Sequence, residues 1–208
     1  LKTNIYIDGF NFYFGLVRGT PHKWLDLGQL CRLMLPQNQI HQIKYFSARV
    51  SARPHDPDQP MRQQIYWRAL RTIPNFSIIE GHFLSHEVNM PLAGSPPGKK
   101  PQYAKVIKTE EKGSDVNLAT HLLHDAYRSD YDIAVVVSND SDLLEPIKIA
   151  KNFLGKTIGI LNPHRHPSVV LHREATFFKT IRKGILPTCQ FPNPMKDKHG
   201  AFHKPTSW

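Results

Sequence analysis

The sequence has few cysteines and no long apolar run. Its 208 residues include two cysteines, Cys31 and Cys189, too far apart in the chain for a metal-binding or disulfide pattern. We interpret both as free thiols of a reducing compartment and expect a cytoplasmic protein. No apolar run approaches the roughly 18 residues of a membrane span, and no basic-then-apolar signal segment opens the chain. These absences exclude a disulfide scaffold and predict no membrane partner.

The charge is strongly positive and unevenly distributed. The formal net charge is +10. Residues 107–145 hold nine acids against three bases, whereas residues 148–183 hold eight bases against one acid. An acidic patch beside a basic one suits metal-assisted chemistry on a phosphodiester, because the bases attract the polyanion. Two solvated faces of opposite sign are the alternative interpretation.

Strand-like and helix-like segments alternate along the chain. Predicted strands cover residues 4–8, 43–50, 76–84, 103–109, 131–138 and 157–161, and predicted helices cover residues 10–17, 25–35, 61–73, 114–127 and 142–153. This order predicts an α/β fold with a mostly parallel central sheet and helices on both faces. We expect one domain over residues 1–186, an exposed loop at 89–101, and a loosely ordered C-terminal tail at 187–208.

Acidic residues occupy the ends of the predicted strands. Asp8 ends the first strand, Asp140 and Asp142 follow the strand at 131–138, and Asp115 opens a helix. The carboxyl ends of parallel strands are where ligands gather. Converging carboxylates repel one another unless a cation neutralises them, and Mg²⁺ prefers such oxygen ligands. These four acids therefore predict a catalytic metal site.

Each acid also has a purely structural interpretation. Asp8 precedes a glycine and suits a turn, whereas Asp115 and Asp140 suit helix N-caps. Asp142 suits the first turn of the same helix, where its charge would complement the helix dipole. Their joint placement favours the site. We expect Asn11 and Ser138 to support it, Asn11 by facing the same point and Ser138 by binding a phosphate oxygen. The alternative for Ser138 is that its hydroxyl satisfies the backbone. Four basic residues are expected to bind the nucleic-acid backbone: Lys112, Lys148, Lys151 and Arg165.

Three short blocks resemble the NYN family, also called LabA-like, within the PIN-like nuclease superfamily. They are Ile7-Asp8-Gly9-Phe10-Asn11, Lys112-Gly113-Ser114-Asp115-Val116 and Ser138-Asn139-Asp140-Ser141-Asp142-Leu143. The resemblance extends over about residues 2–183 and implies a Rossmann-like PIN fold. It further implies that Asp8, Asp115, Asp140 and Asp142 bind Mg²⁺ or Mn²⁺ for RNA cleavage, with Asn11 in support.

One position departs from the pattern of this family. Many relatives carry a further aspartate six residues after the second-block aspartate, and here that position is His121. Histidine binds Mn²⁺ or acts as a base, but it is a poorer ligand for Mg²⁺. We expect His121 to support the site, the alternative being a half-buried polar histidine. The substitution also leaves room for a member with feeble cleavage.

Three functions are compatible with these residues. The first is a metal-dependent ribonuclease that hydrolyses RNA, single-stranded or structured. The second is a non-cleaving RNA-binding or regulatory module with a vestigial metal site. The third is a phosphatase with an aspartate nucleophile, which Phe10 disfavours because such enzymes usually carry a second aspartate at that position. No oligomeric state is predicted.

Overall fold

One mixed sheet organises the chain in a computed structural model that describes residues 1–93 and 100–208. Its strands are β1 (Lys2–Asp8), β2 (Gln39–Ala48), β3 (Phe76–Pro91), β4 (Tyr103–Lys112), β5 (Ile133–Val137), β6 (Thr157–Asn162) and β7 (Phe177–Thr180). Across the described part of the sheet the order is β4-β3-β2-β1-β5-β6-β7. Every neighbouring pair is parallel except β3 and β4. A separate small hairpin joins β8 (Met195–Asp197) to β9 (Gly200–Phe202).

Short helices connect the strands. They are α1 (Gly9–Phe12), α2 (Leu27–Met34), α3 (Gln59–Leu70), α4 (Ser114–Tyr127), α5 (Leu144–Lys148) and α6 (Val169–Glu174). A π-helical turn extends α1 over Tyr13–Val17, and another extends α5 over Ile149–Phe153. Within the described ranges, no helix combines the length and the apolar character that crossing a bilayer requires.

The two faces of the sheet bury separate apolar cores, as the alternation of side chains along β1 requires. Ile5 and Ile7 pack with residues of α2 and α3 on one face. Tyr6 points the other way and packs with residues of α4, α5 and α6. β5 is buried on both faces, which is typical of a central parallel strand. The predicted α/β fold, with a mostly parallel sheet between helices, is therefore confirmed.

A long antiparallel hairpin replaces the expected short strand and loop. β3 continues to Pro91, and its pairs with β4 run from His82↔Lys112 to Pro91↔Tyr103. The predicted loop at 89–101 was therefore wrong at its start, and residues 94–99 of it lie outside the described residues. In the paired stretches no position is fully buried and most are exposed, so the ladder of backbone hydrogen bonds is the main interaction that holds the two strands together.

The C-terminal segment packs on the body of the protein, which differs from the loosely ordered tail expected at 187–208. The buried Trp24 ring lies 5.7 Å from the ring of Phe191 and 6.3 Å from that of Phe202. Arg68 of α3 forms an ion pair of 2.6 Å with Asp197. The expectation rested on the low apolar content of the segment, but a few aromatic side chains suffice when they meet one buried tryptophan.

We predict that Phe202→Ala lowers the free energy of unfolding by about 3 kcal/mol, because the ring is buried against Trp24 and beneath Arg68. Urea unfolding measures this change. Phe153→Ala is the matched control, since that ring is 80% exposed. Equal stabilities of the two variants would show that the segment contributes nothing to the fold.

Candidate active site

Asp8 is buried at the carboxyl end of the central strand β1. Its side chain is the N-cap of α1, with one carboxylate oxygen accepting a hydrogen bond of 2.9 Å from the backbone N–H of Asn11. Ser138, the residue after β5, donates a hydroxyl hydrogen bond of 2.9 Å to the other oxygen. Only 4% of Asp8 is exposed. Asp8 therefore caps the first helix and also lies at the strand end where the sequence predicts the site.

Ser138 also connects Asp8 to the acids of the third block. Its hydroxyl oxygen accepts a hydrogen bond of 3.1 Å from the backbone N–H of Asp140. The Asp140 carboxylate in turn accepts one of 3.0 Å from the backbone N–H of Asp142, and so caps the short 3-10 turn that begins at Ser141. The loop after β5 is thereby held with Asp140 and Asp142 on the same end of the sheet as Asp8.

Two asparagines hold the surrounding loops in place. The side-chain oxygen of Asn11 accepts a hydrogen bond of 2.9 Å from the backbone N–H of Asn139. The Asn139 amide then binds the backbone of a further loop, donating to His166 at 3.0 Å and accepting from Ser168 at 2.6 Å. Asn11 therefore joins the first block to the third. The sequence signal for Asn139 was its position in the third block.

Asp115 reaches the site from the start of α4. Gly113 precedes the helix with φ of 97°, a left-handed conformation that favours glycine. Glu111 accepts hydrogen bonds from the Ser114 backbone N–H at 3.1 Å and from its hydroxyl at 2.7 Å. A Cβ atom on Gly81 would lie 2.5 Å from the Glu111 carboxylate. Sequence reasoning missed Glu111 as a member of the site, although its place three residues before Ser114 indicated a cap.

The four predicted acids are electrostatically coupled. Burial raises the pKa of Asp8 to about 6, and the charges of Asp115 and Asp140 add to this while hydrogen bonds from Asn11 and Ser138 oppose it. Partial burial also raises the pKa of Asp115, followed by the charges of Asp140, Glu111 and Asp142. Within residues 1–93 and 100–208, none of the four predicted acids forms a salt bridge with lysine, arginine or histidine.

The acids are not gathered into a ready coordination shell. In the described part of the chain, no three histidine, cysteine, aspartate or glutamate side chains are arranged to hold one metal ion. The donor chemistry nevertheless suits a hard divalent cation, because every predicted ligand is a carboxylate oxygen.

His121 belongs to a different polar cluster beneath α4. Its ring lies 5.6 Å from the ring of Phe46, and its Nδ1 atom is 3.5 Å from the Lys44 ammonium. Lys44 forms an ion pair of 2.5 Å with the buried Asp125. Partial burial lowers the pKa of His121, and the charge of Lys44 lowers it further. The polar neighbour of His121 is thus a lysine rather than one of the four acids, which corresponds to the alternative of a half-buried polar histidine.

Of the four residues predicted to bind nucleic acid, two already form ion pairs within the protein and two do not. Lys151 binds Glu174 at 3.2 Å, and Lys112 lies 3.5 Å from Glu110, so both charges already have partners. Arg165 is exposed on the loop that Asn139 holds. Lys148 is half-buried on α5, and neither it nor Arg165 forms an ion pair with a described residue.

Comparison with known proteins agrees with the three blocks. A family model described as NYN domain matches residues 2–181. The chain belongs to the NYN domain family. NYN domains as a group are nuclease-type proteins that act on nucleic acids, so the predicted family and the coarse functional class are supported together.

Two individual proteins are similar to this NYN chain. A 6-hydroxy-3-succinoylpyridine 3-monooxygenase of Pseudomonas putida is 33% identical over 236 aligned positions, which cover all of this chain and 75% of that protein. A crystal structure of a protein of unknown function from Vibrio parahaemolyticus matches with a TM-score of 0.56 at 20% identity, covering 87% of this chain and 93% of that one. The second similarity supports the α/β fold alone.

The raised pKa of Asp8 predicts a particular pH dependence of stability. Because the folded pKa of about 6 exceeds the ordinary 3.8, the folded state binds this proton more tightly than the unfolded state does. The contribution of this proton to the free energy of unfolding is complete below the ordinary pKa of 3.8 and is lost as pH rises through 6. In metal-free buffer, Asp8 should therefore lower the free energy of unfolding of wild type by about 2 kcal/mol between pH 4.5 and pH 7.5. Asp8→Asn has no carboxyl group to titrate at this position and should lack that decrease.

Urea unfolding at the two pH values measures this difference. Asp58→Asn is the control, because Asp58 is exposed and its side chain caps no N–H of α3. An unchanged pH dependence in Asp8→Asn would contradict the raised pKa.

Proposed function

We propose that this NYN protein is a divalent-cation-dependent ribonuclease acting in the cytoplasm. The observation that carries the proposal is the coupling of Asp8, Asp115, Asp140 and Asp142 at one end of the sheet, without a cationic partner among the described residues. Unpaired carboxylates that repel one another are stabilised by a cation, which favours a bound ion over a purely structural role. The nuclease-type family supports the same assignment.

The proposed ion is Mg²⁺ or Mn²⁺, held by these four aspartates in part through water. When bound, it supplies charge neutralisation at the phosphate and a more acidic water. The residues of the chain hold the carboxylates in place. Ser138 and the backbone of Asn11 fix both oxygens of Asp8. Asp115, whose pKa is raised by partial burial, is suited to accept the proton of the attacking water.

Cleavage in this scheme is a simple hydrolysis. The water oxygen forms the new bond to phosphorus as the bond from phosphorus to the leaving ribose oxygen breaks. The proton lost by the water passes to a carboxylate oxygen of Asp115, and the leaving oxygen takes a proton from solvent. No covalent intermediate with the protein is required.

An RNA strand would meet a mixed basic and aromatic surface near the acids. Arg165 is exposed on the anchored loop, where it can neutralise a phosphate. Phe14 is 55% exposed after α1, and the Arg18 guanidinium lies 5.3 Å from the centre of its ring. Exposed rings of this kind stack on unpaired bases, which favours a single-stranded segment as the substrate.

The decisive experiment compares RNA cleavage by wild type and Asp140→Asn with Mg²⁺, Mn²⁺ or EDTA. We expect cleavage in either metal, none in EDTA, and at least a 100-fold loss in the variant, since removing one charge weakens the hold on the ion. Asp58→Asn is the matched control. Tight RNA binding without cleavage, unaffected by Asp140→Asn, would overturn the proposal in favour of a non-cleaving binding module.

A second candidate function rests on the 33% identical relative, which is named as a monooxygenase of a substituted pyridine. On this alternative, the chain would insert one atom of O₂ into an aromatic substrate, while two electrons from a reduced nicotinamide or flavin donor and two protons reduce the other atom to water. Incubation with 6-hydroxy-3-succinoylpyridine, O₂ and a reduced nicotinamide or flavin donor tests it. Substrate-dependent consumption of O₂ and reductant would favour this candidate, and its absence beside metal-dependent RNA cleavage would exclude it.

A further inference from the structure

A cavity of about 180 Å³ opens beside the candidate active site. Gly9 and Phe10, the residues that follow Asp8, form part of its wall. Gly9 is required there, because a Cβ atom would lie 2.6 Å from the Tyr45 ring. The negative charge of Asp8 also acts on the Tyr45 hydroxyl. The cavity therefore lies directly beside Asp8, since Gly9 separates the two.

The walls of the cavity are mainly aromatic. Rings from four separate parts of the chain line it: Phe12, Tyr45, Tyr66, Trp67 and Trp208. The Tyr66 hydroxyl donates to the Leu25 carbonyl at 2.8 Å, so Tyr66 offers its ring rather than its hydroxyl to a ligand. The volume is below the roughly 300–1,000 Å³ typical of pockets for drug-sized ligands. One planar ring system fits these walls better than a flexible chain.

The charges in the cavity are positive on balance. Arg62 and Lys23 both line it. Arg62 is held by Asp56 through two hydrogen bonds of 2.6 and 2.5 Å. Lys23 is half-buried and forms no ion pair among the described residues, although its positive charge acts on Asp56, which also lines the cavity. An anionic group is what a half-buried ammonium beside an already paired arginine would bind.

We propose that this cavity binds a planar heteroaromatic ring that carries a carboxylate or phosphate, with the ring among the aromatic side chains and the anion at Lys23. This inference extends the proposed function. It rests on that function only in giving the acids beside the cavity a role in RNA cleavage. Two sources share this chemistry: a nucleotide of the RNA strand, or a free pyridine-type acid.

Trp67 and Trp208 provide an internal probe, because both line the cavity. We would titrate the whole protein with adenosine and uridine monophosphates and with pyridine-3-carboxylate, and follow tryptophan fluorescence and calorimetric heat. Ribose 5-phosphate and pyridine are the matched fragments that lack either the ring or the anion. Saturable binding of a compound with both groups, at least ten-fold tighter than either fragment, is the expected result.

Two variants test the location. Lys23→Gln removes the positive charge of this ammonium and should weaken binding at least ten-fold, whereas Lys183→Gln, which changes an exposed lysine, is the charge-matched control. Val50→Phe adds bulk to the wall of the cavity and should also weaken binding. Binding that neither variant changes, or no binding by any compound, would overturn the inference.

The pattern of ligands separates the two sources. Nucleotide binding assigns the cavity to an RNA base, and binding of pyridine-3-carboxylate alone assigns it to a small aromatic acid. Failure of the ribonuclease proposal is distinct, because wild type would then bind these compounds without cleaving RNA. Failure of this inference would leave RNA cleavage that Asp140→Asn abolishes, with no ligand bound in the cavity.

Discussion

The placement of the Asp8 charge constrains the rest of this structure. The carboxylate is almost fully buried and, among residues 1–93 and 100–208, receives two hydrogen bonds, one from Asn11 and one from Ser138. Those bonds join the ends of the two central strands and set the start of α1 and of the loop after β5. The negative charges of Asp115 and Asp140 act on Asp8, and no described lysine, arginine or histidine forms an ion pair with it. A cation at this point would stabilise the folded state and supply chemistry through the same interaction.

Much of this arrangement could be predicted from local sequence. β5 is a five-residue apolar run, and its length and β-branched content indicate a strand buried on both faces. α4 was predicted over its full length because Gly113 and Ser114 mark its start. The acids at the strand ends follow from parallel pairing, since that pairing brings the carboxyl ends of strands to one edge.

Other features depend on contacts between distant segments, which no local pattern contains. Asn139 belongs to the third block, but only the fold shows that its amide holds the loop at 166–168. His121 was placed by its spacing from Asp115, but Lys44 on β2 determines its surroundings. The C-terminal segment has too few apolar residues to predict a core by composition, and its order depends on Trp24 near the other end of the chain.

The family and the relative lead to different chemistry on one scaffold. NYN membership favours hydrolysis of a phosphodiester at the acids, whereas the Pseudomonas relative is named for oxygen insertion into a pyridine. The aromatic cavity beside Asp8 is compatible with either substrate, because a nucleobase and a substituted pyridine are both planar heteroaromatic rings. Fold alone does not decide between them.

The central claim is that four distant aspartates share one divalent ion. A crystal structure of the protein soaked in Mn²⁺, with anomalous diffraction recorded, tests it most directly. The account predicts one strong anomalous peak between Asp8, Asp115 and Asp140, with at least one carboxylate oxygen within about 2.5 Å of it. A well-ordered site without such a peak, or an ion bound only elsewhere, would contradict the account.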